Sequence, residues 1–169
     1  MLRFMLLFLA CLGLLFLAEL WQPIDHYVIL PFTSAIAHVC VFIVDLFDPH
    51  AIAVGKELRS TTNGFAISIE RGCNGVEAVI ILVSAMLAFP SPWKNKLVGI
   101  GLGFLAIQAV NLVRIISLFY LGQWNRMWFD WFHLYLWQAL IVLDALVVFL
   151  IWLRYLPRVP AATEVDCVA

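Results

Sequence analysis

Charge is scarce in this chain. Lys, Arg, Asp and Glu make up 12% of its 169 residues, where a soluble domain carries about 25%. The formal net charge of −1 leaves no basic surplus, so nothing points to nucleic acid. Cysteine is sparse too: Cys11, Cys40, Cys73 and Cys167 stand alone, and none belongs to a C-x-x-C. Dithiol redox chemistry and zinc-ribbon sites therefore have no support, and neither a metal nor a cofactor is expected. No internal repeat or low-complexity segment appears, which speaks against the paired half-bundles of many transporters. What remains is apolar: 64% of residues are hydrophobic and mean hydropathy is +1.01. This is the composition of an all-α integral membrane protein. The length suits one compact domain over residues 1–169.

The apolar residues fall into five runs. The first, residues 2–20, has the length that crosses a bilayer. It is long for a cleaved signal peptide and no small-x-small site follows, so an uncleaved helix is expected. Trp21 to His26, with Pro23, reads as a turn. The second run, residues 27–47, carries Pro31, His38 and Asp45 and either crosses or is partly re-entrant. Residues 51–70 change character: polar residues lead to Asn63-Gly64, a two-residue hairpin turn. After it Phe65, Ile67 and Ile69 alternate with Ala66, Ser68 and Glu70, the pattern of a half-buried strand. A small β-hairpin packed on the helix ends is expected. The third run, 73–89, stops at Pro90-Ser91-Pro92, and Trp93 to Lys96 reads as a short basic loop. The fourth is 97–121, followed by a polar, tryptophan-rich loop from Gly122 to Trp131. The last is 133–153, followed by Arg154, Arg158 and a short tail. A polytopic bundle of about five spans results.

Positive charges do not assign the sides by number alone. Lys94, Lys96, Arg154 and Arg158 face one side; Lys56, Arg59, Arg71, Arg114 and Arg126 face the other, joined by Arg3 if the second run crosses. Lys94 and Lys96 lack acidic neighbours and sit in a tight loop, where the positive-inside rule acts most strongly. That loop and the C-terminus are therefore expected at the cytoplasmic face, with Cys73 outside.

Up-and-down threading then brings three residues to one face. Cys73 opens the third run, Arg114 lies about two turns before the end of the fourth, and His133 opens the fifth. A cysteine near a helix N-terminus and a cation is stabilised as thiolate, a nucleophile that attacks amide carbonyls to give a thioester. Histidine moves protons near neutral pH. Arginine donates paired hydrogen bonds to a developing oxyanion. Asn111 is on the same helix face as Arg114 and would orient its guanidinium. Glu77, one turn below Cys73, would hold that arginine as an ion pair. Each residue alone has a plainer reading: a snorkelling arginine, an interfacial histidine beside Trp128 and Trp131, a small buried cysteine. A charged residue well inside a span is costly and usually marks function. His38, Asp45 and Asp144 carry weaker signals, Asp144 lying about three turns from His133 on the same face.

At these positions the sequence resembles the exosortase/archaeosortase family of membrane transpeptidases. The matching motifs are Arg71-Gly72-Cys73-Asn74-Gly75, then Asn111-Leu112-Val113-Arg114, then His133. In its short length the chain looks like the exosortase H subfamily, and it departs from members with eight spans. The resemblance implies Cys73 as nucleophile with Arg114 and His133 completing the site. Arg71, Asn74, Gly75, Glu77 and Asn111 are the expected supporting or substrate-binding residues. It implies substrate proteins with a C-terminal recognition motif, transmembrane helix and basic tail. Cleavage is expected at the outer face of the cytoplasmic membrane, with transfer to a lipid or glycan acceptor or to water. A non-catalytic assembly subunit and a small anion transporter using Arg114 are the rival readings. The first predicts that Cys73 is dispensable, the second that Arg114 matters while Cys73 does not.

Overall fold

The structure, a computed structural model, describes residues 2–156; Arg158, Cys167 and the rest of the expected tail lie outside them. All five apolar runs form helices. They are α1 (Leu2–Leu20), α2 (Gln22–Asp45), α3 (Val76–Ala88), α4 (Trp93–Trp124) and α5 (Arg126–Tyr155). The second contains a π-helical stretch over Asp25–Ile29 and the fifth another over Phe132–Leu136. Four of the helices, α1, α2, α4 and α5, are long and apolar enough to cross a membrane. Helix α3 has 13 residues and rises only about 20 Å, against a hydrocarbon core of about 30 Å. The class expected from the sequence, a helical membrane bundle with a small antiparallel sheet, is what the structure holds.

Several boundaries move. Trp93 to Lys96 is the first turn of α4 rather than a loop. Lys96 is buried there and donates from Nζ to the Leu87 carbonyl at 2.7 Å, satisfying an orphan carbonyl at the end of α3. The loop expected over Gly122–Trp131 shrinks to one extended residue, Asn125. Its side-chain oxygen accepts from the Met127 and Trp128 amides and so starts the next helix.

The extramembrane segment has three strands instead of two. Strands β1 (Ala51–Val54), β2 (Glu57–Ser60) and β3 (Ala66–Ser68) form an antiparallel meander, with Val54 opposite Glu57 and Leu58 opposite Ile67. The two-residue turn is Gly55-Lys56, where Gly55 has φ 59°. Asn63-Gly64 belongs to a longer loop, in which the Asn63 side chain accepts from the Phe65 amide. The alternation after it holds: Phe65, Ile67 and Ile69 turn inward while Ala66, Ser68 and Glu70 stay exposed.

Two apolar clusters mark the two ends of the bundle. At one end Ile36, Ala37, Cys40 and Val44 of α2 pack with Leu58, Ile69, Ile115 and Phe119. At the other, Leu82 and Met86 of α3 meet Ile107 of α4 and Ile141, Ala145 and Trp152 of α5. Helix α2 begins beside the Cys73 turn, where Asp25 pairs with Arg71. It ends under the sheet, so both of its ends lie at the Cys73 end of the molecule. Helix α1 runs the full distance, with Phe4 against Phe89 at the far end and Glu19 beside Glu77 at the Cys73 end. Arg3 therefore shares an end with Lys94, Lys96 and Arg154.

Candidate active site

The polar stretch before α3 folds as two linked turns. The Cys73 amide donates to the Glu70 carbonyl at 2.9 Å, and Gly72, third of the four residues, has φ 81°. A positive φ at that position is the mark of a type II turn and selects glycine. Then Asn74 accepts the Val76 amide on its side-chain oxygen at 3.1 Å, and Gly75, φ 77°, leads into α3. A Cβ on Gly75 would lie 2.9 Å from Gln108 Nε2 and 3.4 Å from Asn111, so this glycine also permits close packing on α4. Gln108 Nε2 donates to the Asn74 carbonyl at 3.3 Å.

Arg114 reaches this turn from α4. Its side chain is 1% exposed. Nη1 donates to the Gly72 carbonyl at 3.0 Å and Nη2 to Cys73 Sγ at 3.5 Å. Cys73 and Arg114, brought to one face by threading alone, are thus in direct contact. Burial pushes the Cys73 thiol up from its ordinary value; Arg114 pulls it down, while Glu77 and Glu70 push it up again. The net direction is upward, opposite to the thiolate expected from the helix dipole. The reason is position: Cys73 sits three residues before the first helical residue, Val76, in a half-buried turn.

His133 comes from α5 and makes no hydrogen bond among the described residues; its Nδ1 is buried and unpartnered. The ring stacks on Phe129, centroids 5.6 Å apart and planes 11° apart. Close approaches pair Gly99 with Trp152, Gly103 with Val148, and Gly122 with Phe129 along the antiparallel α4–α5 seam. Continuing that register sets Trp137 opposite Arg114 and His133 opposite Leu118, about one turn along α4 from Arg114. His133 also lies within a π-helical stretch, a distortion found often at functional positions.

The supporting residues depart from expectation. Glu77 does not pair with Arg114 among the described residues; its Oε1 accepts the Gly72 amide. Asn111 does not orient the guanidinium either: it is wholly buried, and neither its Oδ1 nor its Nδ2 has a partner. Arg71 binds Asp25 at 2.7 Å, while its neighbour Glu70 is held by Lys56 at 2.6 Å and Ser68 at 2.7 Å. Those groups wall a cavity of about 310 Å³ beside the cysteine turn, lined by Asp25, Thr33, Lys56, Glu70, Arg71 and Asn74 among others. Asn74 is 1% exposed, with Nδ2 3.3 Å from Thr33 Oγ1. His38 and Asp45 point outward and join nothing here. Asp144 is half-buried, and its Oδ2 is buried without a partner. No group of three or more His, Cys, Asp or Glu is placed to hold a metal among the described residues.

The residues expected from the sequence do not include Glu19 and Asp25, nor Thr33, Lys56 and Gln108, all of which lie at or beside the site. Glu19 is the only acidic residue in the first apolar run, and a buried charge at such a place was a usable signal.

The family described as Transmembrane exosortase (Exosortase_EpsH) matches residues 2–153. The chain belongs to the transmembrane exosortase family. The match runs across all five helices, so it covers the cysteine turn, Arg114 and His133 together. No curated protein and no solved structure matches this exosortase.

Proposed function

We propose that this exosortase is a membrane cysteine transpeptidase that cleaves C-terminal sorting signals of exported proteins through a Cys73 thioester. The observation that carries the reading is the buried guanidinium of Arg114, bonded at once to Cys73 Sγ and to the carbonyl next to it. In the resting site Cys73 is a thiol. His133 takes the Sγ proton as the sulfur attacks the scissile carbonyl carbon. A C–S bond forms, the carbonyl π pair moves to oxygen, and the guanidinium that faced the sulfur now faces the oxyanion. Collapse restores the carbonyl and breaks the C–N bond, and imidazolium returns the proton to the leaving amine. An acceptor amine or hydroxyl, or water, then attacks the thioester, giving its proton up as the thiol re-forms.

The cavity beside the turn supplies room for the peptide flanking the scissile bond, with Arg71, Lys56 and Asn74 as its polar wall. The site faces the extracytoplasmic side in this reading, because Arg3, Lys94, Lys96 and Arg154 gather at the opposite end. An anion transporter fits less well, since two of the Arg114 nitrogens already have partners within the protein.

The test is reconstitution with a substrate carrying a motif, transmembrane helix and basic tail. Wild type should yield a covalent adduct on the Cys73 peptide by mass spectrometry, and Cys73→Ala should yield neither adduct nor cleavage. Cleavage by Cys73→Ala at the wild-type rate would discard the thioester.

A further inference from the structure

Behind the Cys73 turn lies a charged side chain that the proposed chemistry does not use. Glu19, one residue before the end of α1, is 4% exposed, and its Oε1 is buried with no hydrogen-bond partner among the described residues. An ionisable group so buried at the end of a membrane helix is costly to keep unless it is held by a partner. Antiparallel packing of α1 on α3, with Phe4 against Phe89 at the far end, brings Glu19 beside Glu77, and Arg71 and Asp25 complete the charged surroundings. Glu77 in turn accepts the amide of Gly72, and the carbonyl of the same Gly72 accepts from Arg114, whose other nitrogen is on Cys73 Sγ. Hydrogen bonds thus form one path from Glu77 through the Gly72 peptide units and Arg114 to the Cys73 sulfur, and Glu19 stands at its head.

We infer that Glu19 is a positioning residue for Cys73, holding the Glu77 carboxyl so that Gly72 presents its carbonyl to Arg114. The path works because each link is directional: Glu19 as the protonated acid donates to the Glu77 carboxylate, which accepts the Gly72 amide. Glu77 sits in the first turn of α3 and must reach backward to the Gly72 amide. Gly72, at φ 81° and with open space where a Cβ would be, has no side chain to fix its peptide planes. Only its two hydrogen bonds do so. Freed from Glu19, Glu77 can swing to water or to Arg71, the Gly72 carbonyl turns, and the guanidinium loses its seat beside the sulfur. Helix α1, otherwise exposed along most of its length, thereby gains a role in the reactivity of the cysteine.

This inference deepens the transpeptidase reading but is tested without any substrate. The full-length protein in lipid nanodiscs is treated at fixed pH with iodoacetamide, in which the Cys73 thiolate displaces iodide, and alkylation of the Cys73 peptide is followed by mass. Glu19→Met, which fills the same space without a polar group, should slow alkylation about tenfold, the effect of losing one net hydrogen bond. Glu19→Gln, which keeps a donor toward Glu77, should stay within about twofold of wild type. In a Glu77→Gln background, Glu19→Met should add little, since the two act as one link. Should Glu19→Met not fold, Glu19→Asp carries the same expectation, because it withdraws the carboxyl by one methylene. Alkylation of the folded variant at the wild-type rate, or a loss fully additive with Glu77→Gln, overturns the proposal. A Glu19-dependent alkylation rate in a protein that forms no adduct with substrate would retain this inference and discard the transpeptidase reading.

Discussion

At the scale of single residues, the contact between Arg114 and Cys73 decides the reactivity of the site. The thiol is pushed up by burial, so at neutral pH the thiolate is a minor species and alkylation should accelerate as pH rises. The midpoint is expected above the ordinary cysteine value of about 8.5. Arg114 opposes the shift, so Arg114→Gln should move the midpoint further up, and under the proposed mechanism the loss of an oxyanion donor should cut turnover by about 10²–10³. Rate-against-pH curves for the two proteins check both signs; a midpoint that falls in the variant would contradict the geometry. The two site glycines make a matched pair. Both have positive φ, but a Cβ on Gly72 meets nothing within 4 Å, while one on Gly75 strikes Gln108. Gly72→Ala should therefore cost only backbone strain, about 1 kcal/mol, and Gly75→Ala about 1–3 kcal/mol more through displaced packing. Thermal unfolding in detergent separates them. The sequence made Cys73 and Arg114 legible because reactive residue types stood where apolar runs began and ended. It did not make legible what Glu77, Asn111 and Arg71 bond to. Those partners depend on rotamers and on which of several nearby charges arrives first, as Lys56 does at Glu70.

At the scale of elements, runs of hydrophobicity located all five helices, and the first was read at its observed bounds. Two segments that depart from the sequence expectation share a cause: their polar residues suggest loops, but helical hydrogen bonding continues through them. Trp93 to Lys96 stays helical because Lys96 can spend its charge on the Leu87 carbonyl. The segment Arg126–Trp131 stays helical because Asn125 caps it. The π-helical stretches at Asp25 and His133 have no sequence signature at all, and both carry residues of the site. Helix packing was equally hidden, since a glycine in a membrane helix does not announce its neighbour. A Cβ on Gly103 would come 2.4 Å from Leu82 Cδ2 and 3.1 Å from Val148 Cγ1, and one on Gly99 would come 2.3 Å from Trp152 Nε1. Gly99 thus admits the indole that donates to the Asn95 carbonyl at 2.9 Å. Small residues at such seams let helix backbones approach closely. Gly103→Leu should separate α4 from both α3 and α5, costing more than about 3 kcal/mol, whereas Gly101→Leu, with open space at its Cβ, should be nearly neutral. Unfolding temperatures that fall equally for both would contradict the packing.

At the scale of the whole molecule, the arrangement of ends bears on the proposed orientation. Helix α2 has the composition of a crossing helix, yet its two ends meet the Cys73 turn and the sheet, which belong to one end of the bundle. Helices α1, α3, α4 and α5 then alternate in direction, and α1 starts where Phe89 lies. This places Arg3 with Lys94, Lys96 and Arg154, away from the sheet. Lys56, Arg59 and Arg71 at the sheet end are each matched by a carboxylate, namely Glu70, Glu57 and Asp25. Among the described residues Arg3, Lys94, Lys96 and Arg154 have no such carboxylate, and in the proposed reading this excess, rather than the buried Arg114 of the site, makes the Lys94 end the cytoplasmic one. The expectation is tested with single cysteines in a background where the native four are replaced. Ala66→Cys, on the exposed face of β3, should react in intact cells with a membrane-impermeant maleimide. Lys94→Cys, exposed at the start of α4, should react only after the cells are opened. The reverse pattern would put the Cys73 turn in the cytoplasm and overturn the proposed action on exported proteins. Labelling of both positions in intact cells would instead show that the two ends of the bundle do not lie on opposite sides of the bilayer.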